Sequence, residues 1–460
     1  MAAFEVNRRK IVFGIGIAAA LAPLPGWAKT TPPVPAAPHG SMLGTDFGII
    51  ADDEIDQSAL FQKAVNAASG VGVPLVLVGG RYVASNVKIP YGCTILGAAG
   101  AAEINAPRDE PIFVADDQPG IVLENLNFQG YIQEDSKSAI DGRSGLLAFR
   151  NCDGLRLTAL RLGTGHGNGI YLENCSGRLT GSDVTNFDAT AIFVINSHDL
   201  VIAQNRVANC RNGGIRIWRD QAGVDGTIVS ANHITDIEAR AGGSGQNGNG
   251  INVYKADEVV ISDNVIARCA FSAVRVNTGK NVTIRGNTCT NSGEVGIYSE
   301  FAFSGSIIAN NIVDGATGGI SITNLDQNGH LAVCSGNIVR NIVHKTNPQA
   351  DDVPYGIYAE AETSIVGNTV ENVPGFGIIA GNGAFLRNVV IASNVVSSVA
   401  KGIGVSVANA GPVSITGNII SGATENGIVG LNGIEVVSDD LVRDAPKYPN
   451  VTIAGNTVAG

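Results

Sequence analysis

The chain has 460 residues, of which 59 are glycine and only 15% are charged, and its formal net charge at pH 7 is −11. Proteins that bind nucleic acid need a surplus of Lys and Arg to neutralise phosphates, so this charge argues against a nucleic-acid partner. Many short apolar segments broken by Gly and Asn are typical of a single all-β repeat domain rather than several separate domains.

Residues 1–28 are predicted to be a signal peptide. Arg8-Arg9 precede an apolar run from Ile11 to Ala22 that is too short to cross a bilayer, and Gly26-Trp27-Ala28 offers a cleavage site. The paired arginines predict a twin-arginine signal, with an ordinary secretory signal as the alternative. The expected partner during export is the twin-arginine translocation machinery, and the expected location is the periplasm or the exterior. No later segment reaches transmembrane length, so no membrane span is expected in the mature form.

Residues 29–40 are predicted to be a Pro-rich linker, and residues 41–120 the N-terminal cap and first coils of a solenoid. Within the cap, Asp56 to Ala68 predicts a helix that Gly70 closes. A solenoid needs a cover for its open end, and this helix is well placed to provide it.

Residues 121–460 are predicted to be β-helix repeats, because one pattern of alternating apolar residues ending in Asn recurs there. Val282 to Asn287 and Val413 to Asn418 are two examples. The recurring residues are Asn205, Asn232, Asn264, Asn287, Asn311, Asn337, Asn368, Asn394, Asn418 and Asn456. Their gaps are 27, 32, 23, 24, 26, 31, 26, 24 and 38 residues. The shortest gaps indicate three short strands per coil, and the longer gaps indicate loop insertions.

Asn at every bend tolerates the left-handed conformation and can bond to its copies in neighbouring coils, which predicts an asparagine ladder. Leu160 and Ser182 occupy the equivalent position in earlier coils, so the ladder is predicted to begin near Asn205. Crossover chirality favours the right-handed form. The expected fold class is all-β: a right-handed, single-stranded parallel β-helix with an N-terminal capping helix.

The N-terminal region resembles the cap of the pectate-lyase-like superfamily. The resemblance lies in Asp46-Phe47-Gly48, the following helix, Gly80-Arg81-Tyr82 and Thr94-Ile95-Leu96-Gly97. With its paired arginines and Asn repeats, the whole chain resembles the twin-arginine-translocated parallel β-helix repeat proteins of that superfamily. The resemblance implies the fold. Because the superfamily hosts lyases, hydrolases, epimerases and non-enzymes, it does not select among them.

In that superfamily one strand of each coil carries the substrate cleft. Here the corresponding strand begins after a Gly and alternates apolar and polar residues. Its outward positions combine aromatic rings, arginines, amides and carboxylates. These are Tyr171, Glu173, Arg216, Trp218, Asn252, Tyr254, Arg275, Asn277, Tyr298, Glu300, Tyr358 and Glu360. Arginine suits uronate carboxylates and aromatic faces suit sugar rings, so the predicted partner is an acidic polysaccharide. The alternative is a sheet face that carries Tyr, Arg and Thr for their β-propensity or solubility.

Two catalytic hypotheses use this stripe. In a lyase or epimerase, Arg216 or Arg275 would hold the uronate carboxylate, and Tyr254, Lys255 or Tyr298 would remove the adjacent proton. In an inverting hydrolase, two carboxyl groups about 6.5–9.5 Å apart are needed. Glu300 and Glu360 lie two coils apart and could converge.

A third clue is Gly165-His166-Gly167, which resembles the Gly-His-Gly of polygalacturonases, with Arg216-Ile217 as a partial match to their Arg-Ile-Lys. Trp218 stands at the lysine position, which departs from that pattern. His166 is therefore a candidate substrate-binding residue, and a structural turn histidine is the alternative.

No cofactor is expected, and no metal-ligand spacing appears. Asp351-Asp352 and Asp439-Asp440 are weak candidates for Ca²⁺, with solvated turns as the alternative. Gly242 to Gly250 predicts either a lid over the cleft or an ordinary loop insertion. The leading hypothesis is an exported carbohydrate-active or carbohydrate-binding protein that binds a uronate-containing polysaccharide, and the sequence leaves open whether it also acts on that polysaccharide as a lyase or epimerase. A non-catalytic envelope or surface glycan binder is the first alternative, and a polygalacturonase-type hydrolase the second.

Overall fold

The computed structural model describes residues 40–98, 102–131, 142–243, 245–324, 328–345, 347–348, 350 and 352–459. The predicted signal peptide and residues 29–39 of the predicted linker lie outside these residues. No helix in the described ranges is long and apolar enough to cross a membrane.

The described chain winds into a parallel β-helix with three strand-bearing faces. The first face, sheet A, has 16 strands among the described residues, each paired in parallel with the strand one coil away. They are Met42–Leu43, Leu75–Leu77, Thr94–Gly97, Val122–Glu124, Leu155–Thr158, Gly177–Thr180, Leu200–Ala203, Ile228–Ser230, Val260–Ser262, Thr283–Arg285, Ser304–Ala309, His330–Ser335, Thr363–Val366, Val389–Ala392, Val413–Thr416 and Val451–Ala454.

The other two faces, sheets B and C, form one continuous array because the strands Thr369–Ala380 and Val395–Ser406 run through both. The remaining strands of sheet B are Gly80–Val83, Ala102–Asn105, Leu126–Gln129, Arg161–Gly165, Asp183–Phe187, Arg206–Cys210, His233–Ile237, Val265–Cys269, Thr288–Thr290, Ile312–Asp314, Ile338–Arg340, Ile419–Ser421 and Thr457–Ala459. Those of sheet C are Val87–Lys88, Phe113–Asp116, Gly145–Arg150, Asn168–Glu173, Thr190–Ile195, Gly213–Val224, Asn249–Asp257, Val274–Asn277, Val295–Glu300, Gly318–Thr323, Tyr355–Ala359, Asn426–Asn432 and Glu435–Ser438.

The core follows from the period-2 alternation of each strand. Ile284, Ile308 and Cys334 are partners on successive sheet A strands, and all three are fully buried. Burying one such aliphatic side chain stabilises the fold by roughly 1.5–3 kcal/mol, and the stack repeats this in every coil. All seven cysteines are buried free thiols, which places them in this core as small apolar residues.

The asparagine ladder runs along the corner between sheets A and B. From Asn205 to Asn456, each side-chain Nδ2 donates to the Oδ1 of the next Asn at 2.8–3.0 Å. Ser182 extends the same chain of bonds, since its backbone N donates to Asn205 Oδ1 at 3.0 Å and its hydroxyl accepts from Leu160 N at 3.1 Å. The ladder therefore begins one coil earlier than predicted, because a serine hydroxyl can replace the amide oxygen as acceptor.

The N-terminal end is covered by helix α1, Ser58–Val71. Phe61, Val65 and other apolar residues of one face are buried against the first coils. The predicted bounds were wrong by a few residues: α1 begins at Ser58 and runs through Gly70 to Val71. Gly72 closes it with φ 69°, the left-handed conformation that glycine adopts without strain.

Near the other end, the strands Asn426–Asn432 and Glu435–Ser438 pair in an antiparallel hairpin that leads into the short helix α2, Leu441–Asp444. Asp440 caps α2 by accepting a hydrogen bond from Arg443 N at 3.1 Å, and both Asp439 and Asp440 are exposed. Of the other acidic pair, Asp351 lies outside the described residues, and Asp352 accepts from Lys345 N and pairs with His344.

Candidate functional site

The predicted stripe forms two continuous rows on the outside of sheet C. In one row Tyr171, Phe193, Arg216, Asn252, Arg275, Tyr298, Ser321 and Tyr358 are successive strand partners. In the other, Glu173, Ile195, Trp218, Tyr254, Asn277, Glu300 and Thr323 follow one another. Because side chains alternate along a strand, both rows face away from the core.

Two inserted segments turn part of this face into a pocket of about 460 Å³, here called the basic pocket. One is a bulge between Trp218 and Gly223, where the strand gains extra residues relative to its partner. The other is the loop before the next strand, which contributes Gly245 and Gln246 to the wall. These insertions account for the gaps of 27 and 32 residues in the asparagine series.

Aromatic rings form the floor of the basic pocket. Phe193, Trp218 and Tyr254 lie edge to face, with ring centres 5.3 and 5.9 Å apart, and Tyr171 continues the row 5.6 Å beyond Phe193. The Trp218 indole donates to Asn252 Oδ1 at 2.7 Å, which fixes its ring. An aromatic floor with a few fixed polar groups suits a sugar ring.

Three arginines, Arg143, Arg216 and Arg219, line the basic pocket, against one carboxylate, Asp220. A hydrogen bond from Asn196, together with the charge of Arg143 2.8 Å away, holds the pKa of Asp220 below its usual value. Asp220 therefore stays ionised at neutral pH and pairs with Arg143, so the lining keeps an excess of positive charge.

Arg216 is only 2% exposed, although its position faces away from the core. Its guanidinium lies 5.0 Å from the Trp218 ring centre and donates to Asn247 Oδ1 at 2.7 Å and to Asn212 O at 3.2 Å. Asn252 Nδ2 in turn bonds Gly245 O at 2.9 Å. Gly245 and Asn247 of the Gly-rich loop are thus held against sheet C by polar contacts.

Arg219 is the more accessible cation, since 22% of its side chain is exposed. Its Nη1 donates to Ser197 O at 3.1 Å and lies 3.9 Å from Asp225 Oδ2, and its buried Nε has no hydrogen-bond partner among the described residues. Arg219, Arg143 and Asp220 were absent from the sequence prediction. The longer sequence separations between the recurring asparagines could have indicated the bulge that carries Arg219 and Asp220. No sequence pattern around Arg143 pointed to that residue.

Arg275 and Glu300 form a buried ion pair beside the basic pocket. Arg275 donates Nε to Glu300 Oε1 at 2.7 Å and Nη2 to Oε2 at 2.9 Å, and its Nη1 reaches Glu294 at 3.3 Å. Asn277 adds a third bond to Glu300 at 3.1 Å. Two residues predicted for catalysis are therefore bonded to one another.

Other predicted residues lie around the basic pocket. Glu173 pairs with Arg143 and Arg150 and accepts from the Tyr171 hydroxyl at 2.8 Å. Lys255 Nζ lies 4.9 Å from the Tyr254 ring centre. These contacts place Lys255 at the edge of the basic pocket and Tyr171 with Glu173 beyond its aromatic floor.

Towards the hairpin, Tyr298 and Tyr358 line a second cavity on the same face. Burial and the charge of Glu300 raise the pKa of Tyr298 to about 12. Tyr298 is thus a neutral phenol across the ordinary pH range. Glu360, which is 2% exposed, accepts hydrogen bonds from Tyr358 Oη at 3.1 Å and from Asn324 N at 2.7 Å.

His166 lies away from the stripe, in a separate cavity of about 190 Å³. Its Nδ1 is 2.8 Å from Asp188, which also pairs with Arg211. The turn residues of three successive coils therefore stack into a chain of polar contacts rather than meeting the basic pocket.

Comparison with known proteins agrees with this geometry at the level of the fold. Residues 226–386 match the family model described as a right handed beta helix region, and residues 103–281 match that of the periplasmic copper-binding protein NosD. The chain is a right-handed parallel β-helix. No curated protein matches it.

Two solved structures are similar to this β-helix along most of its length. One is PfbA, a surface adhesin of Streptococcus pneumoniae, with 14% identity over 87% of this chain and 95% of that one, and a TM-score of 0.52. The other is the catalytic unit of a GH87 α-1,3-glucanase from Streptomyces thermodiastaticus strain HF3-3, with 14% identity over 92% and 70% and a TM-score of 0.54. At this identity the likeness shows the fold alone.

The family model that matches residues 103–281 is described as a copper-binding protein. In the described ranges, no group of three or more His, Cys, Asp or Glu side chains is arranged to hold a metal ion.

Proposed function

We propose that this right-handed β-helix is an exported protein that binds an acidic, uronate-containing polysaccharide in the basic pocket. The observation that carries the proposal is Arg219, a partly committed guanidinium beside the aromatic floor of Trp218 and Tyr254. A planar guanidinium pairs with a carboxylate through two parallel hydrogen bonds, and the rings accept the apolar face of the sugar.

Export is proposed through the twin-arginine signal, and the match to a periplasmic family model supports an envelope or extracellular location. The adhesin and the glucanase show that this fold serves both surface proteins and carbohydrate-active enzymes. Neither similarity favours a surface role over an enzymatic role for this chain.

In this proposal Arg219 holds the carboxylate, Arg216 adds positive charge to the pocket wall, and Arg275 is a structural neighbour. Arg216 is fixed by the neutral acceptors Asn247 and Asn212, whereas Arg275 is shared by two carboxylates. Adding a ligand carboxylate next to Glu300 and Glu294 would be repulsive.

The test measures binding of an oligogalacturonate tetramer to the full mature chain, with the fully methyl-esterified tetramer as the uncharged match. We expect the acid to bind at least about tenfold more tightly, and Arg219→Gln to remove that advantage, because a hydrogen bond to a charged group contributes about 1.5–3 kcal/mol. Arg340→Gln removes the same charge from an exposed pair on sheet B and serves as the control. Equal binding of acid and ester, or equal loss in both variants, would contradict the proposal.

The second candidate function is a lyase or epimerase, favoured by the contact of Lys255 with the Tyr254 ring at the pocket edge. In a lyase, the Tyr254 oxygen or the Lys255 nitrogen removes the proton beside the carboxylate, the bond to the glycosidic oxygen breaks, and a carbon–carbon double bond forms while that oxygen takes a proton. In an epimerase the proton returns from the opposite face instead.

Unsaturated-uronate absorbance and new reducing ends would be followed together on acidic and neutral polysaccharides, with and without Ca²⁺. Both signals, lost in Tyr254→Phe or Lys255→Gln with binding retained, would establish the lyase. New reducing ends alone indicate a hydrolase. Binding with neither signal, and no isomerisation of the bound uronate, establishes the binding module.

A further inference from the structure

Sheet C carries a second cavity, of about 320 Å³, whose charge is opposite to that of the basic pocket. Four aromatic rings line it, together with two carboxylates and no Lys or Arg among the described residues. The rings are Tyr298, Tyr355, Tyr358 and Phe376, and the carboxylates are Glu294 and Asp352. This cavity is called the acidic pocket.

The acidic pocket is built by register and by one additional wall. Tyr298 and Tyr358 occupy the same row two coils apart, and Phe376 is the strand partner of Tyr355. The rings of Tyr355 and Tyr358 lie 5.6 Å apart with a 50° tilt. The turn of the antiparallel hairpin, including Gly433 and Ile434, closes the opposite side.

Negative charge exceeds positive charge around these rings. Arg275 is shared by Glu300 and Glu294, and its guanidinium also lies 4.9 Å from the Tyr298 ring centre, so one guanidinium serves two carboxylates and one ring. Lys401 lies 5.3 Å from the Phe376 ring centre outside the cavity lining, and Glu425 pairs with it. The rings themselves stay neutral, since burial raises the pKa of both Tyr298 and Tyr358.

Neutral aromatic faces with carboxylates beside them are a recognition surface for a cation, because the negative face of each ring attracts positive charge. A ligand carboxylate would be repelled by Glu294 and Asp352. A neutral sugar would stack on the aromatic rings but would have no charge for the carboxylates of Glu294 and Asp352 to attract.

The acidic pocket adjoins the basic pocket along the helix axis. Asn277 lines the basic pocket, and Tyr298, on the next strand of sheet C, lines the acidic one. Adjacent strands lie about 4.8 Å apart, so a single oligosaccharide can reach both.

We propose that the acidic pocket binds the ammonium group of an amino sugar. Resting on the proposed function, this makes the ligand a glycan that carries a carboxylate and a free amine on nearby sugars, one for each pocket. The ligand class is then narrower than an acidic polysaccharide.

The test compares a β-1,4-linked glucosamine tetramer with its fully N-acetylated form on the full mature chain. Acetylation removes the positive charge of each amine of the tetramer and leaves its sugar rings unchanged. We expect the amine to bind about tenfold more tightly, the range of a partly desolvated cation–π contact. Asp352→Asn, and its combination with Glu294→Gln, should remove that preference while leaving oligogalacturonate binding unchanged.

The control variant is Asp314→Asn with Glu371→Gln, which makes the same charge change on sheet B, away from both pockets. Equal affinity for the amine and its acetylated form would overturn the proposal, as would an equal loss in the control. Failure is distinguishable from failure of the proposed function, because oligogalacturonate binding depends on Arg219 and is measured separately. Asp352 is exposed, so its single variant keeps the test valid if Glu294→Gln fails to fold.

Discussion

Arg275 and Glu300 hold one another through two hydrogen bonds, 2.7 and 2.9 Å long, on adjacent coils of sheet C. Glu300 is fully buried and Arg275 is 7% exposed. Both positions point away from the core, and the register alone suggested two cleft residues open to solvent. The pair instead lies buried on the two strands whose Asn277 and Tyr298 line the basic and acidic pockets.

The first prediction concerns this ion pair. Glu300→Leu should lower the free energy of unfolding by about 3–5 kcal/mol, because it leaves Arg275 buried with only part of its compensating charge. Arg275→Met combined with Glu300→Leu should recover part of that loss, since the guanidinium and its buried carboxylate are removed together and only the partly buried Glu294 loses its ion pair. Urea unfolding followed by circular dichroism measures both. If the losses simply add in the double variant, the two residues do not act as a pair.

Much of the fold could be predicted because each coil repeats the same local rules. Alternation placed Ile284 in the core, and the Asn series gave the ladder and the coil length. The register of sheet C then followed, which is why the positions of Arg216 and Trp218 on its outer face could be predicted.

The details of the site depended on contacts between distant segments, which repeat periodicity does not encode. Arg143 meets Asp220 across 77 residues, and Asn247 reaches Arg216 across 31. The bulge that presents Arg219 is held by Ser197 on the preceding coil and by Asp225 at the end of its own strand, and the first of these contacts joins segments distant in the sequence.

The second prediction concerns the pH dependence of stability through Asp225, whose side chain is fully buried. Burial raises the pKa of this carboxyl from 3.8 to about 6. Below pH 3.8 it is protonated in both the folded and unfolded states, and its contribution to stability is fully present. As the pH rises to about 6 and beyond, the folded state must bury a charge and that contribution is lost, roughly 3 kcal/mol in all.

Asp225→Asn should therefore raise the unfolding temperature at pH 7 to 8 and leave it nearly unchanged at pH 4. Asp220→Asn is the matched control with the opposite sign, because the folded structure lowers the pKa of Asp220 and favours its charged form. Melting curves of both variants and of the unmodified chain, recorded from pH 4 to 8, measure these differences in unfolding temperature. A uniform shift of the Asp225→Asn curve at every pH would show that its charge is not responsible.

The third prediction concerns the middle of the asparagine ladder. Asn311 Oδ1 accepts from both nitrogens of Asn287, and Asn311 Nδ2 donates to Ile284 O and to Asn337 Oδ1. In Asn311→Ala, the backbone N of Asn287 and the carbonyl of Ile284 are left buried without these partners. Each such group costs about 1–3 kcal/mol, so we expect a clear fall in the midpoint of urea unfolding.

Asn456→Ala is the control, since it removes the same side chain at a position that solvent reaches. Water can then satisfy the groups released on Asn418 and Ile415, so the loss should be much smaller. The expectation that the ladder Asn adopts the left-handed conformation was wrong: the residue before it does, as Asn310 (φ 56°) does before Asn311. Equal destabilisation at both positions would therefore contradict a ladder that acts through buried hydrogen bonds. Asn311→Asp tests the donor by itself, because aspartate keeps the shape and the acceptor oxygen but loses the Nδ2 donor that Ile284 and Asn337 require.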